Sequence, residues 1–214
     1  MHKPQYTINT NHHATAFSFQ EVIPTDYAVS MFYRIIDDHL ALKLMTERDA
    51  EEAYALIDRD REHLGEYLPW VDKLHSVENE RKSLAVLGFD PNGKINCFLT
   101  LDGRIIGAVG PAIIDRGAEW ADIGYWIGSE WEGRGYVTTG VREVERLCFI
   151  NLGLERVQIT NDVTNVRSRA IPERLGYTFE GILRHHLVSG HGHVADRSVY
   201  SILKSEWMAR EGLA

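Results

Sequence analysis

Residues 119–140 read EWADIGYWIGSEWEGRGYVTTG, and this stretch decides the fold. Its first part, 119–127, is rich in aromatic and β-branched residues and predicts a strand. Gly133 and Gly135 then permit a tight turn, and an apolar stripe that includes Val137, Val141 and Val144 predicts a helix. The order strand, glycine loop, helix leaves backbone N–H groups of residues 134–138 unpaired at a helix N-terminus. Such an end favours a bound anion, for example a phosphate or pyrophosphate.

Two common phosphate-binding motifs do not fit this loop. The third glycine of a dinucleotide fingerprint would fall at Thr138, and the Lys-Ser/Thr pair of a P-loop is missing. A plain tight turn without a ligand therefore remains the alternative for the loop taken alone.

The rest of the chain alternates between strand and helix patterns. Before the loop, MFYRIIDDHLALKL (31–44) predicts two strands, followed by helices over 47–63 and 76–87 and a hairpin of 94–101 with 104–114. After it come a strand at 156–160, a helix at 165–175, and strands at 177–184 and 198–203. We therefore predict an α/β (α+β) fold. The compact domain spans 31–214, and 1–30 form an extension, either a flexible arm or one that docks on the domain or a partner subunit.

Composition and charge exclude several classes of protein. The 214 residues are 44% hydrophobic and 25% charged, as in ordinary globular proteins. Lys and Arg total 23 against 31 Asp and Glu, and the net charge of −8 disfavours a nucleic-acid partner. The two cysteines, Cys97 and Cys148, exclude a disulfide scaffold and suit the cytoplasm. No apolar run approaches the ~20 residues of a membrane span, and no signal peptide is evident, so we expect no membrane partner.

A second informative segment is NDVTNVRSRAIPERLGYTFEGILR (161–184). Asn165 suits a helix N-cap, and the Ser168 hydroxyl, three residues on, is placed to meet a ligand between neighbouring strands. Capping alone is the simpler interpretation of each residue. Four histidines follow, but no cysteine or regularly spaced carboxylate completes a ligand set, so we predict no metal site. They are His185, His186, His191 and His193.

Together these segments resemble the GNAT superfamily of acetyl-CoA-dependent N-acetyltransferases, within it the ribosomal-protein N-acetyltransferase (RimJ/RimL-type) subfamily. The resemblance runs in consistent order over residues 32–207. It is carried by LALKLMTERDAEEAYALI, REHLGEYLPW, ADIGYWIGSEWEGRGYVT, NVRSRAIPERLGYTFEGILR and DRSVYSILKSEW.

The resemblance implies a mixed, twisted sheet that is splayed in its middle, with helices on both faces and acetyl-CoA in the splay. The strand would hydrogen-bond the pantetheine, the loop amides would hold the pyrophosphate, and the next helix would complete the site. The implied cofactor-binding residues are Tyr125, Trp126, Ile127, Gly133, Arg134, Gly135, Tyr136, Val137, Thr138, Asn165 and Ser168. The loop departs from the family pattern at Glu132, usually Gln or Arg, and at Val137, usually Gly or Ala. We expect somewhat weaker binding from both.

The resemblance also bears on catalysis. Many members carry a tyrosine where this chain has Pro172, so Ser168 becomes the candidate acid or hydrogen-bond donor to the CoA thiolate; the alternative is that it only orients the cofactor. Glu119 has the spacing of the basic glutamate of some relatives, although a solvated charge at a strand end is the alternative. Asp122, three residues on, would face the other side of the strand. His185, His186 or a water chain are further candidate bases, beside Leu187, where some relatives carry glutamate.

The predicted function is transfer of an acetyl group from acetyl-CoA to a primary amine, such as a protein N-terminal α-amine. Trp70 resembles the segment that flanks the acceptor cleft, and core packing is its alternative. Two other functions stay open: acetylation of a small-molecule amine, and non-catalytic binding of acyl-CoA. By resemblance we also expect a homo-oligomer.

Overall fold

The computed structural model describes residues 33–88 and 95–213. The expectations for 1–30 and for the first strand's opening at Met31 lie outside the described residues. One mixed sheet has eight strands, in the spatial order β1-β2-β3-β4-β5-β6-β8-β7. They are β1 (Tyr33–Ile35), β2 (Leu40–Leu44), β3 (Cys97–Leu101), β4 (Arg104–Asp115), β5 (Trp120–Ile127), β6 (Arg156–Asp162), β7 (Thr178–Val188) and β8 (Val194–Leu203).

Six α-helices lie in the described part of the chain. They are α1 (Ala50–Arg59), α2 (Arg61–Gly65), α3 (Val77–Leu87), α4 (Tyr136–Arg146), α5 (Val166–Arg174) and α6 (Lys204–Arg210). None of these helices has the length and apolarity needed to cross a bilayer.

All strand pairs are antiparallel except β5 with β6, which are parallel. These two strands pair only at their beginnings, where Trp120, Ala121 and Asp122 lie opposite 156–158. Beyond Asp122 they separate, whereas β5 stays paired with β4 as far as Ile127. The predicted mixed sheet with a central splay is therefore confirmed.

Helices cover both faces of the sheet because side chains alternate along each strand. On one face, Val141 and Val144 of α4 pack in the same buried cluster as Ile123 of β5 and Ile159 of β6. On the other face, α1 and α3 pack on a second cluster around Phe98. The splay thus opens between two helical layers that each have their own core.

The helix predicted over 47–63 is interrupted in the structure. A 3₁₀ turn over Glu47–Asp49 precedes α1, and Asp60 separates α1 from α2 with φ −102° and ψ 19°. The buried Asp60 carboxylate accepts hydrogen bonds from Ser129 N (2.7 Å) and Ser129 Oγ (3.2 Å). The break thus fastens the first helices to the turn that leads out of β5. Periodicity does not report such a contact because the partners are 69 residues apart.

Candidate active site

A cleft of about 1390 Å³ occupies the splay. One wall consists of the glycine loop, the start of α4 and α5. The opposite wall consists of α2, α3 and the segment around Trp70. The cleft therefore reaches both faces of the sheet through the gap between β5 and β6.

The glycine loop ends in an open helix N-terminus. Gly133 and Gly135 have φ values of +70° and +85°, which favour glycine, and a Cβ at either position would meet no atom within 4 Å. Gly135 is the N-cap of α4, and Thr139 N donates to Gly135 O at 3.0 Å. The amides of residues 136–138 precede this bond and have no partner within the helix. The loop can therefore surround an anion with backbone donors.

Of the six predicted loop residues, five line the cleft and one does not. Gly133, Gly135, Tyr136, Val137 and Thr138 all line the cleft. The Arg134 side chain is exposed and is not among the lining residues.

The edge of β5 that faces the splay is available for a second kind of contact. Tyr125, Trp126 and Ile127 line the cleft, and among the described residues no strand pairs with them on the β6 side. An extended ligand can hydrogen-bond such an edge as an added strand would. This geometry is that expected for a pantetheine arm.

The acidic residue at the start of the loop has two polar neighbours, one of them an arginine. Glu132 Oε2 accepts a hydrogen bond from Arg167 Nη1 of α5 at 2.5 Å. Glu132 Oε1 lies 3.0 Å from His63 Nε2 of α2. We expected an unneutralised acid to weaken anion binding, but this one is compensated across the mouth of the cleft.

Ser168 lies in a cluster that bridges the two separated strands. Its Oγ donates to the Tyr125 hydroxyl (3.2 Å) and accepts from Asn161 Nδ2 (2.6 Å). The Tyr125 hydroxyl donates to the Ser168 carbonyl (2.9 Å), and burial raises the pKa of Tyr125 to about 12. Asn165 caps α5 by accepting from Ser168 N at 3.0 Å. The cluster thus places a protonated hydroxyl pair in the splay, and the sequence pattern did not indicate Asn161.

The structure does not bring Glu119 to the cleft. Its side chain is exposed, its φ is +55°, and it precedes β5 at the end where β5 and β6 are still paired. Six residues along a strand correspond to about 20 Å, so Glu119 is far from Tyr125. Only a solvated charge at a strand end fits this position.

Asp122 lies at the point where the strands part. Its Oδ2 accepts from Gln158 Nε2 (3.1 Å) and Thr160 Oγ1 (2.9 Å), and burial raises its pKa above the usual range. Asp122 is not itself a lining residue, but Thr160 is. The other candidate bases do not reach the cleft, because His185 and His186 are exposed and only Leu187 lines it.

The second wall of the cleft combines aromatic side chains with a carboxylate. The rings of Trp70 and Trp126 lie 6.3 Å apart between centroids, and Tyr67 lines the same wall. Burial raises the pKa of Asp162, but hydrogen bonds from the Thr164 hydroxyl and amide outweigh it and leave the pKa below the usual value. Asp162 is therefore ionised at neutral pH and suits a cationic ligand. The sequence pattern did not indicate Asp162, which lies two residues beyond the strand predicted at 156–160.

A splayed strand pair beside a glycine-lined helix N-terminus defines a transferase that takes its acyl group from a CoA thioester. The acetyltransferase (GNAT) domain family matches residues 39–178, and the chain belongs to this family. The resemblance found in the sequence is confirmed.

Named relatives point to the same chemistry. YdaF of Bacillus subtilis (strain 168), named as a ribosomal N-acetyltransferase, is 35% identical over 182 residues, which cover 83% of this chain and 98% of YdaF. The ribosomal-protein-serine acetyltransferase of Escherichia coli (strain K12) is 24% identical over 151 residues, covering 70% and 84%. Among solved structures, the microcin C7 self-immunity acetyltransferase MccE, in complex with acetyl-CoA and AMP, superposes with a TM-score of 0.73 at 26% identity, covering 78% and 94%.

The protein is an N-acetyltransferase that uses acetyl-CoA. The residues present fit this donor: the open amides of α4 suit the pyrophosphate, and the unpaired β5 edge suits the pantetheine. When bound, acetyl-CoA supplies the activated acetyl group as a thioester.

Gly135→Glu is expected to weaken CoA binding by more than about tenfold, because it sets a negative side chain against the anion-binding amides. Isothermal calorimetry with CoA measures the effect. Gly103→Glu is the matched control: Gly103 also has a positive φ (+78°) and open space, but it lies in the β3–β4 turn outside the cleft. Equal CoA affinity in wild type and a folded Gly135→Glu variant would contradict the assignment of the loop.

Arg167→Met is expected to weaken CoA binding by about threefold to tenfold at low ionic strength, because it leaves Glu132 less compensated near the pyrophosphate site. Adding Glu132→Gln to this variant should restore most of the affinity. A double variant as weak as Arg167→Met would show instead that Arg167 contacts CoA directly.

Proposed function

We propose that the protein acetylates the α-amine of a protein N-terminus. Asp162 carries this proposal, because an ionised carboxylate that lines the cleft at the end of β6 suits an incoming ammonium group. The cleft is large enough for a chain segment beside the donor, and the relatives named above include enzymes named for ribosomal-protein substrates.

The ammonium must lose a proton before its nitrogen can attack the thioester carbonyl. We assign the ionised Asp162 carboxylate as the group that holds the ammonium and accepts this proton, which then passes to solvent. Attack produces an oxyanion, and backbone N–H groups on the free edge of β5 are the available donors for it. The departing CoA thiolate needs a proton or a hydrogen bond, and we assign the hydrogen bond to the Ser168 hydroxyl. Its O–H would turn from Tyr125 to the thiolate while Asn161 Nδ2 continues to donate to its oxygen.

We also propose that the protein self-associates and works in the cytoplasm. The edge strand β7 exposes Phe179 (49%), Ile182 (53%) and Leu183 (43%), an apolar surface of the kind that protein interfaces cover. Ribosomal substrates of the named relatives support the cytoplasm. Sedimentation equilibrium tests the association, and a strictly monomeric protein would refute it.

Mass spectrometry after incubation with acetyl-CoA, a library of N-terminal peptides and a panel of small amines tests the acceptor. We expect acetylation of peptide α-amines. If only small amines were acetylated, the acceptor would be a small-molecule amine and not a protein N-terminus. CoA binding without any transfer would leave the protein a non-catalytic binder and refute the proposal.

Ser168→Ala is expected to lower kcat by at least about tenfold while CoA affinity changes little, because donation to a developing thiolate acts mainly in the transition state. Steady-state kinetics and calorimetry on the same variant separate the two quantities. Ser205→Ala makes the same change at an exposed site on α6 and should leave both unaltered. An increase in KM for acetyl-CoA at unchanged kcat would restrict Ser168 to orienting the cofactor.

A further inference from the structure

The carboxyl group of Glu80 is buried in the wall of the cleft, and the described part of the chain offers it no polar partner. Glu80 is 5% exposed and lines the cleft from α3. Among the described residues, none forms a hydrogen bond or an ion pair with it, and its pKa is raised to about 7 by burial alone. The other acid on the same helix differs, since Glu78 is exposed and paired with Arg81 (3.5 Å) and Lys82 (3.8 Å).

Such a carboxyl group needs an explanation. Glutamate is almost never fully buried unless it is paired, because removing its charge from water costs more free energy than an unpaired group recovers. Glu80 lines a cleft that the acceptor enters, so a cation carried by the acceptor is a partner that the described residues do not provide.

The part of the cleft that Glu80 lines, called the groove here, also has small residues in its lining. Its floor consists of small residues of adjacent strands, namely Ala108, Gly110, Ala112 and Gly124. A Cβ at Gly110 would lie 2.5 Å from Asn96 Oδ1, so this position admits no larger residue. Asn96 in turn donates to Leu87 O (2.7 Å) and holds the end of α3 beside the groove.

The position of Glu80 separates it from the reacting amine. Leu84, one turn along α3, packs with Phe98 of β3 and Ala108 of β4, so Glu80 on the same helical face lies towards these strands. β3 is two strands away from β5, a distance of about 10 Å. This is the span of about three residues of extended peptide. Asp162 is better placed for the α-amine, and Glu80 for a group further along the acceptor.

We propose that Glu80 binds a second cationic group of the acceptor, a lysine or arginine side chain within about three residues of the acetylated N-terminus. This inference rests on the proposed function. It narrows the substrate class to N-termini followed closely by a basic residue. Pairing with an ammonium group would favour the ionised carboxylate, because an opposite charge stabilises the charged form of a buried acid.

The test compares peptides that differ only by lysine or its uncharged isostere norleucine at positions two, three and four. For wild type, we expect kcat/KM to favour the lysine peptide at one of these positions by at least about tenfold. Calorimetry in the presence of CoA should show the same preference in Kd. Glu80→Gln should remove the preference while the norleucine peptide reacts within about twofold of wild type.

Glu78→Gln is the matched control, since it removes one negative charge from the outside of the same helix and should keep the preference. A preference for lysine that survives in folded Glu80→Gln, or no preference in wild type, would overturn the inference and leave the acetylation of N-termini intact. If no peptide were acetylated, the proposed function would fail, and this inference with it.

A partner within the chain is the competing explanation, and residues 89–94, outside the described part, contain Lys94. The free energies of unfolding of Glu80→Gln, Lys94→Met and the double variant decide between an acceptor cation and Lys94 as the partner of Glu80. If the two losses of stability add in the double variant, the two residues do not interact, which supports the proposal. Equal and non-additive losses of stability would assign Glu80 to Lys94 and overturn it.

Discussion

The short parallel pairing of β5 with β6 is the constraint on which the rest of the site depends. Three residue pairs join the strands, and then each continues along its other neighbour. Because the strands are parallel, their carboxyl ends lie at the same edge of the sheet, and ligands of open α/β sheets bind at such ends. One strand leads into the glycine loop and α4, and the other into Asn165 and α5. Two helix starts therefore meet at one opening, although 30 residues separate Gly135 from Asn165.

Polar contacts span the opening at three depths. Asp122 with Gln158 and Thr160 closes its apex, the Tyr125–Ser168–Asn161 cluster crosses its middle, and Glu132 with Arg167 crosses its mouth. Apolar packing between the two strands would have kept a polar ligand out, because such a ligand cannot take over apolar contacts. Hydrogen bonds and ion pairs can be exchanged for those of a polar ligand at little net cost. These polar contacts thus hold the two strands in place and still allow a polar ligand to enter between them.

Local signals in the sequence were sufficient for the sheet, the loop and the cap of α5, because turn glycines, alternation and capping each involve residues close in the chain. The interactions that decide the chemistry are not local. Tyr125 and Ser168 are 43 residues apart, and Glu132 meets His63 over 69 residues. Glu119 was assigned by its spacing from the loop, but the spacing along a strand does not say which end of it a ligand reaches. The sequence of α3 does not distinguish Glu80 from the exposed Glu78, and only the packing of α3 over the sheet buries Glu80.

Alternation along β5 explains how one strand serves two ligands. Tyr125 packs with the cluster under α4, whereas Trp126 packs with the clusters under α1 and α2 on the opposite face. The side chain that holds Ser168 therefore points to the donor side, and the next side chain forms part of the acceptor wall. Only the backbone of β5 separates the face that carries Tyr125 from the face that carries Trp126. A thioester on the free edge of β5 is therefore accessible from the acceptor side. Gly124 extends this access, because a side chain at that position would narrow the groove at the point where the amine must arrive.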